Sequence, residues 1–138
     1  MKIVENELTV GQFISLFESV GWDAPSPEQV EIALQNSIST FLAVEDGKPV
    51  GMVRLLGDHA MSYYIKDFAV SPHMQGKGVG RVLMEHLENY IRQELKEGWA
   101  VSLELISSKG KETFYKKFGF EVRPCEWDGA GMFKMIRM

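Results

Sequence analysis

Residues 75–80, which read Gln-Gly-Lys-Gly-Val-Gly, carry the strongest chemical signal in the chain. Three glycines in six residues leave the backbone bare and allow φ/ψ values that other residues avoid. An apolar run ends at Val70 and a helical pattern begins near Arg81, so the unpaired first N–H groups of the helix point into the loop, at the positive end of the helix dipole. Such a loop predicts a phosphate-binding site.

Two common phosphate-binding loops do not fit the spacing of these glycines. A dinucleotide fingerprint requires glycine at the position of Arg81, and a nucleoside-triphosphate loop requires Ser or Thr after Lys77. The pattern Gln-x-x-Gly-x-Gly instead resembles the acetyl-coenzyme-A loop of the GNAT superfamily of N-acetyltransferases, in which backbone amides hold the pyrophosphate of the coenzyme. A plain glycine turn between a strand and a helix is the alternative interpretation.

A second motif lies one strand and one helix further along, at residues 114–120, which read Phe-Tyr-Lys-Lys-Phe-Gly-Phe. It resembles the Phe-Tyr-x-x-x-Gly-Phe segment of GNAT enzymes, and the resemblance implies that the hydroxyl of Tyr115 sits beside the sulfur of the coenzyme. Residues 67–72 are similar to the family strand that precedes the loop. The likeness runs from about residue 41 to residue 120 and implies an acetyl-CoA-dependent N-acetyltransferase.

A narrower likeness and one departure accompany these motifs. Residues 20–22, Val-Gly-Trp, and the helix after them look like small bacterial members related to plant serotonin N-acetyltransferases. Many relatives carry Asn seven residues before the Tyr and Ala four residues before it, where this chain has Ser108 and Lys111. The coenzyme contact of that Asn is therefore assigned to a different side chain, Ser108.

The resemblance also implies how the coenzyme is held. Amides of the loop face the pyrophosphate, Lys77 adds charge at the rim, and the main chain of the preceding strand bonds the pantetheine arm as a neighbouring strand would. The side chains of that strand are then free to pack in the core. The predicted coenzyme-binding residues are Phe68, Ala69, Val70, Gln75, Gly76, Lys77, Gly78, Val79, Gly80, Arg81 and Ser108.

Acetyl transfer to a primary amine requires a proton acceptor. An alkyl amine with a pKa like that of Lys is protonated at neutral pH, and its deprotonation costs about 4 kcal/mol. Asp67 is the preferred base, directly or through water, because it precedes the predicted pantetheine strand and some relatives place a carboxylate there. Glu104 on the next strand is a weaker candidate. The alternative for Asp67 is a structural hydrogen bond to a neighbouring helix or loop.

Tyr115 is the candidate proton donor to the departing thiolate, since an ordinary phenol with a pKa near 10 is protonated at neutral pH. Its structural alternative is a ring that caps the core with the hydroxyl at the surface. The resemblance implies that a backbone N–H near Val70 holds the oxyanion. Cys125 has no patterned His partner, so direct transfer in a ternary complex is predicted rather than a covalent intermediate.

These residues require a framework of alternating strands and helices. Hydroxyl residues followed by Gln at the third position predict short helices after Thr9 and Ser26, and an Asp-Gly pair at residues 46–47 predicts a hairpin. We expect an α+β domain, an α/β/α sandwich around a mixed, mostly antiparallel sheet of six to seven strands. The predicted strands are residues 40–44, 49–56, 61–70, 100–106, 120–122 and 132–138, and two later helices begin at Val79 and Glu112.

Composition limits the class of protein. The chain has 138 residues, 45% of them hydrophobic and 25% charged, which suits one domain over residues 1–138 with a single core. A net charge of −4 argues against a nucleic-acid binder. No segment is apolar for long enough to span a membrane, and acidic residues follow Met1 too early for a signal peptide, so we expect a cytoplasmic location. A lone Cys125 agrees with a reducing compartment. His59, His73 and His86 are too scattered to predict a metal site.

Several alternatives remain open at this stage. A sensor or regulatory module could keep the coenzyme loop and lack turnover, and the acceptor could be a protein rather than a small amine. Phe13, Phe17 and Trp22 could line an acceptor pocket for an apolar or aromatic amine, although core packing is the commoner role of such residues. By analogy with the family we expect a homodimer.

Overall fold

The computed structural model of the protein describes all 138 residues. They form two compact units, Met1–Glu104 and Leu105–Met138. The first unit contains a sheet and three helices, and the second contains one short helix. No helix is long and apolar enough to cross a membrane. That the whole chain is one domain remains a prediction.

The sheet of the first unit has five strands, which lie side by side in chain order. Neighbouring strands among the first four are antiparallel, and the fifth runs parallel to the fourth. The prediction of a mixed, mostly antiparallel sheet is therefore confirmed. The strands are β1 Lys2–Glu5, β2 Ser39–Glu45, β3 Lys48–Gly57, β4 Ser62–Val70 and β5 Ser102–Glu104.

The number of strands differs from the predicted six to seven. Residues 120–122 and 132–138 form no strand, and residues 100–106 supply only the three residues of β5. The large apolar side chains of residues 132–138 are exposed. Residues that favour β-structure form a strand only where a neighbouring strand is available to pair with them. β1 was missed because its pairing is long-range, with Lys2 opposite Val44, and four residues give little local signal.

The four helices are α1 Val10–Ser19, α2 Pro27–Gln35, α3 Val79–Glu94 and α4 Glu112–Lys116. The first two begin with the predicted capping boxes. The Thr9 hydroxyl accepts a hydrogen bond from the Gln12 N–H at 3.2 Å, and the Gln12 side chain accepts one from the Thr9 N–H at 3.0 Å. Ser26 and Gln29 repeat this arrangement before α2. Two otherwise orphaned N–H groups are thereby satisfied at each helix start.

The hairpin between β2 and β3 has the predicted two-residue turn. Asp46 and Gly47 both adopt positive φ, 50° and 75°, which is the conformation of a type I′ turn and matches the twist of the strands on either side. This turn fixes the pairing of Glu45 with Lys48. The rest of the β2/β3 register follows from it, except for one irregularity between Ala43 and Val44.

Alternate residues of β2 face opposite helical layers. Leu42 joins a buried cluster with Phe13 and Leu16 of α1, while the ring of Phe41 meets the ring of Tyr90 on α3 at 5.9 Å. The first unit is therefore three layers deep, with α1 and α2 on one face of the sheet and α3 on the other. This confirms the α/β/α sandwich for that unit.

Gly51 on β3 lets the first turn of α3 approach the sheet closely. A Cβ built on Gly51 lies 2.9 Å from Cγ1 of Val79 and 3.1 Å from Cδ1 of Leu83. Both residues are buried on the inner face of α3. Val is stiff because it is β-branched, so it cannot easily turn away from an added methyl group. Gly51 therefore sets the position of the start of α3.

Gly51→Ala is expected to destabilise the protein by about 1 to 3 kcal/mol, the usual cost of overpacking a core. Urea unfolding followed by circular dichroism measures this change. Gly11→Ala is the matched control, since a Cβ on Gly11 meets nothing within 4 Å and Ala favours a helix. Equal stability of the Gly51→Ala and wild-type proteins would contradict the close approach.

Glu94 ties the last turn of α3 to β4 and to the turn that precedes it. Its carboxylate accepts a hydrogen bond from the Tyr63 hydroxyl on β4 and lies 2.9 Å from Nδ1 of His59. Burial alone would raise the pKa of Glu94, but hydrogen bonds from Tyr63, His59 and Tyr90 outweigh it and lower the pKa below its usual value. Burial and the same carboxylate raise the pKa of Tyr63. α3 is therefore anchored at its last residue as well as at its first.

The lowered pKa of Glu94 predicts a pH-dependent contribution to stability. Because the folded protein favours the carboxylate, this contribution is full above the ordinary pKa of 4.5 and is lost as the pH falls through the lower value of the folded state. Glu94→Gln should therefore be less stable than wild type at neutral pH, with a difference that shrinks as the pH falls below 4.5. Urea titrations at several pH values measure it, with the exposed Glu97→Gln as control; a pH-independent difference would exclude this linkage.

Candidate active site

β4 carries a bulge just before its last three residues. Met52 pairs with Ala69 and Arg54 pairs with Lys66, so that Val53 alone faces both Asp67 and Phe68. Asp67 has a φ of 56°, a left-handed conformation that Asp tolerates better than most side chains. A bulge of this kind redirects the strand beyond it. The residues redirected are Phe68, Ala69 and Val70.

The Asp67 carboxylate at this bulge is held by a partly buried guanidinium. Oδ2 of Asp67 lies 2.8 Å from Nε of Arg54, and each side chain is only 12% exposed. Nη1 of Arg54 also lies 3.4 Å from the Ala33 carbonyl oxygen and 3.4 Å from Oγ of Ser37, at the end of α2. The structural alternative for Asp67, a hydrogen-bonded carboxylate, is thus observed, although its partner is a strand residue.

The same part of β4 diverges from β5. The two strands pair only from Ser62 to Tyr64, although β4 continues for six more residues. The Ser71 N–H donates to the Val50 carbonyl at 2.9 Å. Because hydrogen-bonded and non-bonded pairs alternate in an antiparallel ladder, Val70, opposite Gly51, turns its N–H and C=O away from β3. The amide predicted to hold an oxyanion therefore points to the side where β5 has ended.

Gln75 connects the end of β4 to the glycine loop. Its side-chain amide donates a hydrogen bond from Nε2 to the Val70 carbonyl at 3.0 Å. A short 3₁₀ turn, Pro72–Met74, lies between the two residues. The sequence predicted that the Gln75 N–H faces the pyrophosphate, but this N–H donates to the Pro72 carbonyl at 3.3 Å. The Gln75 side chain instead holds the loop against the strand.

Two of the three loop glycines adopt backbone conformations that favour glycine. Gly76 has a φ of 76° and Gly78 a φ of 86°, and Gly78 is the N-cap of α3. No side chain caps this helix and no acidic residue lies in its first turn. The N–H groups of Val79, Gly80 and Arg81 have no partner within the helix, so the loop presents donors at the positive end of a 16-residue helix.

This arrangement fits a diphosphate. A Cβ built on Gly76 meets nothing within 4 Å, and one on Gly78 meets only Nη2 of Arg81 at 4.0 Å, so the surface over the loop is open for a ligand. Lys77 is exposed, as expected of a residue at the rim. The Arg81 side chain is bound to Glu85 one turn later at 2.8 Å. The guanidinium borders the loop beside Gly78 but is shared with Glu85, and the backbone N–H of Arg81 is the donor that has no partner within the helix.

Tyr115 and Ser108 belong to the second unit, in which α4 carries the Phe-Tyr motif. The ring of Tyr115 lies 5.1 Å from that of Phe114 and 5.9 Å from that of Phe120. Burial raises the pKa of Tyr115 to about 12, so the phenol is protonated throughout the neutral range. Ser108 is exposed, and its carbonyl accepts a hydrogen bond from the Lys111 N–H at 3.0 Å in the turn before α4.

The aromatic residues considered for an acceptor pocket form a chain of ring contacts. Phe13 stacks on Phe17 at 5.2 Å, and Phe17 meets Trp22 edge-on at 5.0 Å. Phe13 is buried in the core cluster of the first unit, and the other two pack against that cluster while remaining partly exposed. The core role is observed for Phe13, and a pocket role for Phe17 and Trp22 stays a prediction.

The first unit thus brings together Asp67, the strand after it and the whole glycine loop. Glu104, the weaker base candidate, is exposed at the end of β5. Sequence analysis missed Arg54 and Gly51. The only sign of Arg54 in the sequence is a charged residue within an apolar strand, on the same face as Met52 two residues earlier. Nothing in the local sequence distinguishes Gly51.

Comparison with known proteins agrees with this geometry. The family model of the acetyltransferase (GNAT) domain matches residues 36–122. The chain is 34% identical over 123 residues to the uncharacterized N-acetyltransferase ycf52 of Pyropia yezoensis, covering 86% of this chain and 67% of that protein. It is 30% identical over 132 residues to serotonin N-acetyltransferase 2, chloroplastic, of Oryza sativa subsp. japonica, covering 92% of this chain and 64% of that protein.

The fold also matches solved structures along its whole length. SA2161, a protein of unknown function from meticillin-resistant Staphylococcus aureus, superposes with a TM-score of 0.85 at 30% identity, covering 98% of each chain. The mostly antiparallel five-stranded sheet with its helices is an acetyltransferase fold. The chain belongs to the GNAT acetyltransferase family, whose members use acetyl-CoA.

Proposed function

We propose that the protein transfers an acetyl group from acetyl-CoA to a primary amine, directly within a ternary complex. The observation that supports this most is the uncapped start of α3, behind two glycines at positive φ, next to the end of β4. Family membership adds the acetyl donor. The primary amine as acceptor and direct transfer in a ternary complex are the parts that we add.

Coenzyme binding is assigned to the backbone. The N–H groups of residues 76–81 hold the pyrophosphate, and the main chain of Phe68 and Val70 bonds the pantetheine arm on the side where β5 has ended. Ala69 pairs with Met52 on β3 instead. Ser108 is assigned from the motif alone. Because most of these contacts are made by main-chain atoms, they depend on the bulge and on the glycine conformations more than on side-chain identity.

The Val70 amide is the proposed oxyanion donor. As the amine attacks the thioester carbonyl, negative charge develops on the oxygen, and a fixed N–H aimed at that position stabilises it. The carbonyl of Val70 is already fixed by Gln75, which limits rotation of the adjoining backbone. Loss of one such donor typically lowers turnover by about 10²- to 10³-fold.

Asp67 is the proposed proton acceptor, acting through water. Oδ2 is occupied by Arg54, which leaves the other carboxylate oxygen to receive a hydrogen bond from a bridging water. The amine must lose a proton before it attacks, and a carboxylate at the bulge lies one residue from the strand that holds the thioester. A base oriented by a third group is the usual arrangement in group-transfer sites.

Tyr115 is proposed to act at the sulfur as a hydrogen-bond donor. Its pKa of about 12 lies well above the ordinary thiol value near 8.5, so complete proton transfer to the thiolate costs about 5 kcal/mol. Donating a hydrogen bond to the developing thiolate requires no such transfer. The phenol therefore stabilises the leaving group, and the proton that finally neutralises the sulfur comes from solvent.

The acceptor class is inferred from chemistry and from one relative. Serotonin, for which the rice protein is named, is a primary alkylamine that carries an aromatic ring, and the partly exposed rings of Phe17 and Trp22 suit an aromatic group. A net charge of −4 favours a cation over an anion as the diffusing partner. A small aromatic amine is therefore preferred to a protein acceptor.

An assay with a panel of amines tests the proposal. Thiol release from acetyl-CoA and the mass of the product are measured for serotonin, tryptamine, spermidine and a Lys-containing peptide. The expected result is acetylation of the aromatic amines first. Acetylation of the peptide alone would make the acceptor a protein, whereas tight acetyl-CoA binding with no acetylated product would identify a coenzyme sensor.

The cytoplasmic location and the homodimer are proposed on indirect grounds. A lone Cys125 agrees with a reducing compartment, and dimers are expected by analogy with the family. Cell fractionation tests the first and sedimentation velocity tests the second. A monomer at micromolar concentration would remove the dimer from the proposal.

A further inference from the structure

Arg54 connects three elements that surround the bulge. It belongs to β3, its Nε donates to the Asp67 carboxylate on β4, and its Nη1 lies within hydrogen-bonding reach of the Ala33 carbonyl at the end of α2. Both partners of the ion pair are 12% exposed. A planar guanidinium with several donors in fixed directions can make these contacts together, which an ammonium group cannot.

The geometry at Asp67 depends on this contact. Asp67 adopts a φ of 56°, which most L residues avoid, and it is one of two residues that share a single partner on β3. An unusual conformation of this kind persists only where the surroundings hold it in place. The bond at 2.8 Å from Arg54 is the side-chain contact that fixes Asp67 from across the ladder.

We propose that Arg54 is a positioning residue for acetyl transfer, which orients the Asp67 carboxylate and keeps the β4 bulge in shape. The inference rests on the proposed function for its kinetic consequence. Arg54 contacts neither substrate in this scheme and acts through Asp67. Because Phe68 to Val70 follow the bulge directly, the direction of the Val70 amide depends on the same contact.

The location of the Arg54 contacts also links the acceptor side to the coenzyme side. α2 lies on the face of the sheet that carries Phe13 and the other aromatic rings, and its last turn shares the guanidinium with the bulge. The Arg54 side chain also lies 3.4 Å from Oγ of Ser37, just beyond α2. Arg54 therefore holds the bulge in register with the helix that adjoins the proposed acceptor site.

Arg54→Met is the first test, because it keeps much of the apolar stem and removes the guanidinium. We expect kcat to fall about 10- to 100-fold, the range typical of small misplacements of reacting groups. The dissociation constant of CoA should change less than about threefold, since the loop at residues 75–81 is untouched. Arg92→Met is the control, because Arg92 is exposed and forms only a 3.8 Å pair with Glu88.

A double-mutant cycle decides whether Arg54 acts through Asp67. If it does, Arg54→Met has no further effect on kcat in an Asp67→Ala background. Multiplication of the two single effects would overturn the proposal, because Arg54 would then act independently of Asp67. Arg54→Lys keeps the charge but lacks the planar fork, so it should retain most of the kcat defect of Arg54→Met; wild-type kcat in Arg54→Lys would overturn the role of the guanidinium.

Amide hydrogen exchange gives a readout that needs no turnover. Exchange at residues 67–70 should accelerate in Arg54→Met while exchange in α3 stays unchanged, because the hydrogen bonds of Arg54 go to the bulge and to the end of α2. Unchanged exchange at the bulge would overturn the inference. Should Arg54→Met fail to fold, Arg54→Lys is measured in the same way. A wild-type protein that acetylates no amine rejects the proposed function, whereas active wild-type and equally active Arg54→Met proteins reject this inference alone.

Discussion

Tyr115→Phe is expected to lower kcat by about 100-fold or more and to leave the affinity for CoA almost unchanged. The variant removes a hydrogen-bond donor that is used only as the thiolate leaves, and loss of one donor to a developing charge typically costs about 10²- to 10³-fold. Steady-state kinetics with the best amine, together with calorimetric titration of CoA, separate the two effects. The ring contacts with Phe114 and Phe120 are retained, so the variant should remain folded.

The pH dependence provides a further check on Tyr115. Because its pKa is about 12, the phenol does not titrate between pH 6 and pH 9, and the ratio of wild-type to variant rates should be constant across that range. A ratio that changed tenfold there would mean that another group carries the effect. Equal rates for the two proteins at every pH would remove Tyr115 from the mechanism.

Gly78→Asp should weaken CoA binding by about 100- to 200-fold. A carboxylate at the N-cap of α3 faces the diphosphate, and two like charges about 5 Å apart near a protein surface repel by about 3 kcal/mol. Calorimetric titration measures the loss directly. Because charges near a surface are screened, the defect should be smaller at high salt.

Gly78→Asn is the matched control for that experiment. Asn has nearly the shape of Asp and also tolerates positive φ, so it reproduces the steric and backbone effects at φ 86° without the charge. We expect only a severalfold loss of affinity. If Asn and Asp were equally weak, shape rather than charge would be responsible, and unchanged affinity in both would place the diphosphate elsewhere.

The elements with strong local signals were predictable from the sequence. The capping boxes at Thr9 and Ser26, the Asp46-Gly47 turn and the periodic apolar face of α3 each depend on residues within one or two turns of one another. Their geometry is decided locally, and the structure has them where they were expected. The coenzyme loop belongs to the same class, because its glycines act through their own backbone.

The features that sequence analysis missed depend on contacts between distant residues. The Arg54–Asp67 pair joins residues 13 positions apart across a bulge, and no local pattern reveals the register shift that brings them together. Gly51 matters only because Val79 lies above it. The two expected strands at residues 120–122 and 132–138 show the opposite error, in which composition favoured a strand and no pairing partner was found.

The base assignment illustrates a third limit. The residue type and place of Asp67 were predicted, and the prediction of its catalytic role stands untested. Its ion pair with Arg54 gives the carboxylate a structural role at the bulge, beside the proton transfer that we propose for it. Only the separation of these two effects, by the variants described above, will assign the proton transfer.

The anchoring of α3 at both ends has a consequence for how the coenzyme arrives. The helix is seated against Gly51 at its first residue and tied to β4 through Glu94 at its last, so it has little room to slide or tilt. A rigid cradle binds without first rearranging, and its association rate should rise linearly with ligand concentration, showing no plateau in stopped-flow traces. The acyl donor then docks onto a frame that is already in place.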